Sequence, residues 1–240
     1  MQGIEIKNVS KTYKSGVVAL NDLSLTINSG ELFGLLGVNG AGKTTLIKIL
    51  CGLTKKSSGK AYINGYDLDV DLNEIKKIID VSPQETSVAP NLTVLENLEF
   101  FANVYGVNDS MYLEEIISTF SLEEVLRQKA KTLSGGYQRR LSIAIALISK
   151  PKVLFLDEPT LGLDVLARRE LWKIILKLKG KITIILTSHY LEEIENLSDR
   201  VAILYKGKLL TVGSTKEIKE GVNAPTFEDA FVKIVEGENE

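Results

Sequence analysis

The clearest chemistry in the chain lies in one short stretch. Gly37, Val38, Asn39, Gly40, Ala41, Gly42, Lys43 and Thr44 match G-x-x-x-x-G-K-[ST] without a departure. Glycines let the backbone curl until successive N–H groups point at one anion, and the helix that follows adds the positive end of its dipole. A lysine at the end of such a loop reaches the outer phosphates of a nucleotide, and the Thr44 hydroxyl is placed to hold Mg2+. Thr45 continues the turn, so the spacing predicts a phosphate cradle over residues 37–45.

Two further constellations add to it. In VLFLDEP, Asp157 closes an apolar strand, the end at which open α/β sheets bind ligands. An aspartate there holds Mg2+ through water, complementing Thr44. Glu158 follows directly, close enough to orient or deprotonate an attacking water. In LSGGYQRR, Leu133 to Arg140, the residues Ser134, Gly135 and Gly136 open a helix. That start is a second anion site, and one chain has no use for two outer-phosphate cradles on one nucleotide. His189, the only histidine, comes just after the apolar run ITIILTS. An isolated histidine is more often structural than catalytic, so its reading depends on what the rest of the chain is.

The elements needed to position these groups are legible in the hydrophobic pattern. Strands are expected at Ile4–Val9, Val17–Ile27, Glu31–Leu36 and Lys60–Ile63, with Gly, Asn and Ser between them. Glu31–Leu36 runs into the glycine-rich turn, and Lys43–Leu50 is then a helix, the order in which a phosphate loop carries meaning. From about Val88 to Lys150 the pattern turns helical. Val94, Leu98, Phe101 and Tyr105 share a face, Ser110–Phe120 and Leu122–Arg127 are short and amphipathic, and Gly135–Ser149 is longer. Val153–Asp157 and Ile182–Ser188 are continuous apolar runs, as in central strands of a parallel sheet. Leu171, Ile174, Ile175 and Leu178 form a helical stripe between them, stopped at Gly180. Strands near Val201–Tyr205 and Lys208–Val212 and then short helices complete the chain.

On these residues the sequence resembles an ATP-binding-cassette (ABC) ATPase from about Ile4 to Val212, the decisive segment being LSGGYQRR, similar to the family signature LSGGQ. The resemblance implies an α/β fold: a P-loop NTPase (RecA-like) core with an antiparallel β subdomain and an inserted α-helical subdomain. It implies one domain over 1–240, with 1–86 and 150–213 as core and β subdomain, 87–149 as helical signature subdomain and 214–240 as a C-terminal helical tail. It implies ATP and Mg2+ as ligands. In the family two chains pair head to tail, and the signature of one, here Ser134, Gly135, Gly136 and Tyr137, closes on ATP held by the other. Tyr137 is the departure, since glutamine is commonest there. Tyr13 matches the aromatic that stacks on adenine, with Val18 as support. Gln84 matches the Q-loop glutamine that touches Mg2+ or water, Asp164 of LGLD the D-loop aspartate, and His189 the switch histidine that senses the γ-phosphate. Lys43, Gln84, Glu158 and His189 are thus the expected catalytic set, and Thr44, Gln84 and Asp157 the expected metal set.

Composition sets outer limits. The chain has 240 residues, 29 basic against 31 acidic, and a formal charge of −2, so no nucleic-acid footprint shows and no nucleic-acid partner is expected. The single cysteine, Cys51, reads as a buried thiol in a reducing compartment. The N-terminus has no signal-peptide pattern, and Leu141–Ile148, the longest nearly apolar stretch, is too short to span a bilayer. The resemblance implies a cytoplasmic chain that is the ATP-hydrolysing subunit of an ABC membrane transporter, coupling dimer closure to transport and held on the inner membrane face by an integral membrane permease. ABC ATPases of DNA repair, chromosome organisation or translation are the rival. The interval between Lys43 and Ser134 holds no heptads and no cysteine pairs, and only one cassette is present. Guanine recognition through Asn-Lys-x-Asp is absent. PNLTVLENLEFFANVYGV and TFEDAFVKIVEG resemble the export branch, and Glu85, Leu92 and Tyr105 are expected on the permease-facing surface.

Overall fold

In the computed structural model, which describes residues 2–238, the first hairpin pairs β1 (Gln2–Thr12) with β2 (Val18–Asn28), antiparallel. β3 (Leu32–Leu36) leads through the glycine-rich loop into α1 (Lys43–Leu50). β4 (Ser58–Ile63) and β5 (Tyr66–Asp67) return to the first hairpin, giving a four-stranded antiparallel sheet of order β2-β1-β4-β5. α2 (Leu72–Ile78) then feeds β6 (Ile79–Ser82). A run of helices follows: α3 (Val94–Tyr105), α4 (Ser110–Thr119) and α5 (Gly135–Ile148). The chain re-enters the sheet with β7 (Val153–Asp157), α6 (Val165–Leu178), β8 (Thr183–Ser188), α7 (Leu191–Leu197), β9 (Arg200–Tyr205) and β10 (Lys208–Gly213). α8 (Thr215–Gly221) and α9 (Phe227–Gly237) end the described chain.

The second sheet has six strands in the order β10-β9-β3-β8-β7-β6, parallel except for β10 at its edge. Its central strands β3, β7 and β8 are buried along nearly their whole length because both faces are covered. Phe33, Leu35, Val153, Phe155 and Ile185 point to one core, shared with α1 and the antiparallel sheet. Leu32, Leu36, Leu154, Leu156 and Ile184 point to the other, shared with the helices. Burying one such side chain contributes about 1.5–3 kcal/mol, so register in this sheet is strongly fixed. The parallel strands bring the ends of β3, β7 and β8 to one edge, with Leu36 opposite Ser188 and Asp157 opposite Thr187. The phosphate loop, the two carboxylates and the histidine all leave the sheet at that edge.

Several elements depart from the pattern reading. Leu122–Arg127 is not an α-helix; only Glu123–Val125 form a single tight 3-10 turn. Ser121 has φ 51, so the chain reverses directly before it, and Val125 then anchors the turn in the core. Glu31 lies outside the strand: it is buried, accepts the Asn28 N–H at 2.7 Å and pairs with Arg200 at 3.3 Å. β5, α2 and α7 carry too few residues to display a period, which is why the pattern passes over them.

Candidate functional site

The phosphate loop is held by backbone fit. Gly40 and Gly42 have φ of 79 and 107, conformations that side chains rarely adopt. A Cβ on Gly37 would lie 2.4 Å from the Leu204 carbonyl oxygen, and one on Gly42 2.5 Å from that of Ala19. Gly42 caps α1 without a side-chain hydrogen bond, so that helix start carries no built-in acceptor. Lys43 folds back over the loop, its Nζ donating to the Gly37 carbonyl at 2.5 Å and the Val38 carbonyl at 3.4 Å. Burial lowers the Lys43 pKa, and the nearby charges of Glu158 and Asp157 oppose that shift. Thr44 is exposed beside it.

A cavity of about 270 Å³ brings the expected groups together. Asn39 to Thr45 form its floor, Tyr13 and Val18 one wall, and Glu158 and His189 the other. The Tyr13 hydroxyl lies 3.3 Å from Thr45 Oγ1, and the Lys11 ammonium sits 5.0 Å from the centre of the Tyr13 ring. His189 Nε2 is 2.5 Å from Glu158 Oε1. Glu158 itself has φ 50, a left-handed backbone that costs a non-glycine residue roughly 1–3 kcal/mol. Thr187 holds it there: the Glu158 N–H donates to Thr187 Oγ1 at 3.0 Å and its carbonyl at 3.2 Å. The same hydroxyl donates to Asp157 Oδ1 at 2.6 Å, so one buried threonine aims both carboxylates. Pattern reading missed Thr187; its signal is a hydroxyl directly after the apolar run IIL, the second T of ITIILTS.

The remaining expected residues lie outside this cavity. Gly37 and Val38 form the rear of the loop, where their carbonyls hold Lys43. Ser134 caps α5, its Oγ accepting from the Tyr137 N–H at 3.4 Å, and Ser134 and Gly135 are exposed. A Cβ on Gly136 would stand 3.1 Å from Ala167, so α6 passes closely behind the signature. The Tyr137 ring packs on the helical core, with the Arg140 guanidinium 4.9 Å from its centre. Asp164 caps α6, accepting from Leu166 and Ala167 at 2.9 and 3.0 Å. The Gln84 side chain is exposed and does not line the cavity. Its carbonyl accepts from Arg139, as does that of Pro83 at 2.6 Å. Burial lowers the Arg139 pKa. Arg139 is thus a buried latch between α5 and the segment after β6, and it too was missed; a basic pair after a glycine-rich helix start gives no sign of which distant group each member meets.

The donor set suits a hard cation only in part by itself. No cluster of three or more His, Cys, Asp or Glu groups that would hold a metal occurs among the described residues. The Thr44 hydroxyl and the Asp157 carboxylate are oxygen donors, and Mg2+ ordinarily takes one or two protein oxygens with the rest from phosphates and water. The site fits that use.

Comparison with known proteins agrees with this geometry. Residues 20–161 match the family model described as ABC transporter. The chain belongs to the ABC transporter family. Phospholipid-transporting ATPase ABCA3 of Homo sapiens is 41% identical over 228 residues, which are 92% of this chain and 13% of that protein. ABC transporter A family member 5 of Dictyostelium discoideum is 41% identical over 223 residues, 90% of this chain and 13% of that protein. The chain thus spans only a small part, 13%, of the length of these relatives. A solved ATP-binding subunit of an ABC transporter superposes with a TM-score of 0.84 at 29% identity, covering 96% of this chain and 98% of that one. A dimeric ATP-binding cassette in a post-hydrolysis state, bound to ADP and Pi, gives 0.77 at 28% identity, covering 88% and 98%. The fold is the P-loop NTPase fold with an antiparallel β subdomain, and this ABC domain is an ATP-binding ATPase domain. No helix among the described residues is long and apolar enough to cross a membrane.

Proposed function

We propose that this ABC domain hydrolyses Mg-ATP between two chains and uses closure of that pair to drive transport across a membrane. The observation that carries the reading is the single cavity joining Tyr13, the phosphate loop, Glu158 and His189. Adenine stacks on the Tyr13 face away from Lys11, with Val18 beside it. Residues 37–45 cradle the phosphates, and Lys43 exchanges the Gly37 and Val38 carbonyls for phosphate oxygens. Thr44 and Asp157 would hold Mg2+, with Gln84 joining them once its exposed side chain turns inward, and the ion would supply neutralisation of charge on the phosphates. Glu158 takes a proton from the attacking water, whose oxygen bonds to the γ-phosphorus as the bond to ADP breaks. His189 keeps Glu158 and the γ-phosphate in register.

Ser134, Gly135, Gly136 and Tyr137 do not line the cavity, so they serve the ATP of a second ATP-binding chain, a copy or a similar one, with Asp164 at the joint. The working division is 1–86 with 150–213 as core, 87–149 as the helical part and 214–240 as the tail; Met1, Asn239 and Glu240 lie outside the described residues. An integral membrane permease completes the transporter and holds this domain on the cytoplasmic membrane face. The name phospholipid-transporting ATPase of the ABCA3 relative favours a lipid-class cargo, and the likeness of PNLTVLENLEFFANVYGV and TFEDAFVKIVEG to the export branch favours export.

Glu158→Gln is expected to abolish phosphate release and to shift the protein with ATP to the size of a dimer on gel filtration. Lys43→Ala should bind ATP at least about tenfold more weakly and stay monomeric. A Glu158→Gln protein that binds ATP and remains monomeric would sink the two-chain site.

A further inference from the structure

Glu193, on α7, is completely buried, at 0% exposure. Burial raises its pKa. The Trp172 indole N–H of α6 donates to Glu193 Oε1 at 3.0 Å. The hydroxyls of Thr160 and Ser188 and the Arg168 guanidinium face the same carboxyl and favour its charged form. Yet no hydrogen bond of sound geometry reaches Glu193 Oε2, Thr160 Oγ1 or Arg168 Nε, although all three are buried. The Thr160 hydroxyl is a donor facing that carboxyl, so a small shift pairs it with Oε2, and leaving the two unpaired is costly.

The segments that carry these atoms matter for the site. Thr160 lies between Glu158 and Asp164, in a loop tightened by the Leu161 N–H on the Glu158 carbonyl and the Leu163 N–H on that of Thr160. α7 starts two residues after His189. It is pinned from behind: a Cβ on Gly34 would meet Ser198 Oγ at 2.6 Å and Ile194 Cδ1 at 3.0 Å, so α7 already touches the β3 backbone. α7 is therefore the more firmly held partner, while the backbone bonds of the 159–164 loop close it on itself, so it shifts as a unit.

We infer that Glu193 is a positioning residue for ATP hydrolysis: its carboxyl receives the Thr160 hydroxyl when ATP and a second chain engage, setting the 159–164 loop and Glu158 in hydrolytic register. The inference rests on Glu158 and His189 being the hydrolytic pair. It assigns the joint between the segments that follow Glu158 and His189 to one buried carboxyl, which neither the phosphate cavity nor the signature uses.

Trp172 is the only tryptophan in the chain, so its emission reports on this joint directly. The test uses the full chain carrying Glu158→Gln, with ATP binding followed separately by a fluorescent nucleotide. Mg-ATP should shift Trp172 emission and ADP should not; adding Thr160→Val should remove the shift while ATP still binds. With Glu158 intact, Thr160→Val and Glu193→Gln should each lower kcat about tenfold with KM for ATP within about twofold, and the pair together should lose no more than either alone. Thr160→Ser, which keeps the hydroxyl, should restore both readouts. ATP binding without any change in Trp172 emission, wild-type kcat in Thr160→Val, or losses that multiply in the double variant would each overturn the inference. A chain that binds no ATP at all would instead overturn the assignment of the phosphate cavity.

Discussion

Glu158 stands in a backbone conformation that its side chain does not favour, and one neighbour keeps it there. Its φ of 50 aims the carboxylate at His189 rather than along the strand, while Asp157 keeps the regular direction of β7. Thr187 binds both residues through one hydroxyl, which accepts from the Glu158 N–H and donates to Asp157. Thr187→Val retains size and removes both bonds. We expect kcat to fall between about tenfold and a hundredfold with little change in ATP affinity, because aim rather than binding is lost. Stability should fall by about 1–3 kcal/mol, since the Glu158 N–H loses one of its acceptors and Asp157 its donor. Steady-state kinetics and urea unfolding on the same preparation check the two parts, and an unchanged kcat would show that Glu158 needs no support from Thr187.

At the scale of elements, the helical block and the sheet meet through Arg139. The guanidinium enters from α5 and donates to the Pro83 and Gln84 carbonyls, so the stretch after β6 is tied to the helix that the signature opens. Arg139→Met keeps the stem and removes the donors. Amides over residues 82–88 should then exchange with deuterium at least about tenfold faster, while those of β7 and β8 stay protected; equal protection in both proteins would mean that the tie does not hold the loop. This latch also shows what the sequence makes legible. Strand–loop–helix order, the apolar runs of β7 and β8 and the glycine-rich helix starts follow from local pattern, since backbone conformation and period are written residue by residue. Arg139, Thr187 and Glu193 are different. Each acts through partners distant in sequence, Arg139 and Pro83 being 56 positions apart, and a single side chain carries no sign of which distant carbonyl it will meet. Gln84 illustrates the converse. Its type and place match a ligand-binding position, while in this conformation only its backbone is engaged.

Over the whole molecule, the phosphate cavity lies at one sheet edge, and a separate groove opens between the turn after α1, Lys76 and Lys77 of α2, β6 and the helical block. Its volume is about 650 Å³. Leu53, Val104 and Tyr105 line it at 70%, 63% and 44% exposure, an apolar surface too open to serve the core. Of the three residues expected to face a permease, only Tyr105 lines this groove; Glu85 and Leu92 lie outside it. Asp80 gives the floor a polar point. Burial raises its pKa, and it accepts from Ser149 at 3.0 Å and the Tyr105 hydroxyl at 3.2 Å. Ser149 directly follows α5, whose other end carries the signature, and Val81 of the groove is two residues from Pro83, which Arg139 holds. A membrane-subunit helix seated here would push on both the signature helix and the Gln84 segment. Val104→Asp places a charge on that surface without touching the phosphate cavity. ATP binding and the ATP-dependent dimer expected of the Glu158→Gln protein should survive it, while co-purification with the proposed permease should drop at least about tenfold, as for a charge buried in an apolar contact. Retained co-purification would move the docking surface elsewhere on the molecule; loss of both properties would mean that Val104 supports the domain itself, and the groove would then have no claim to the permease.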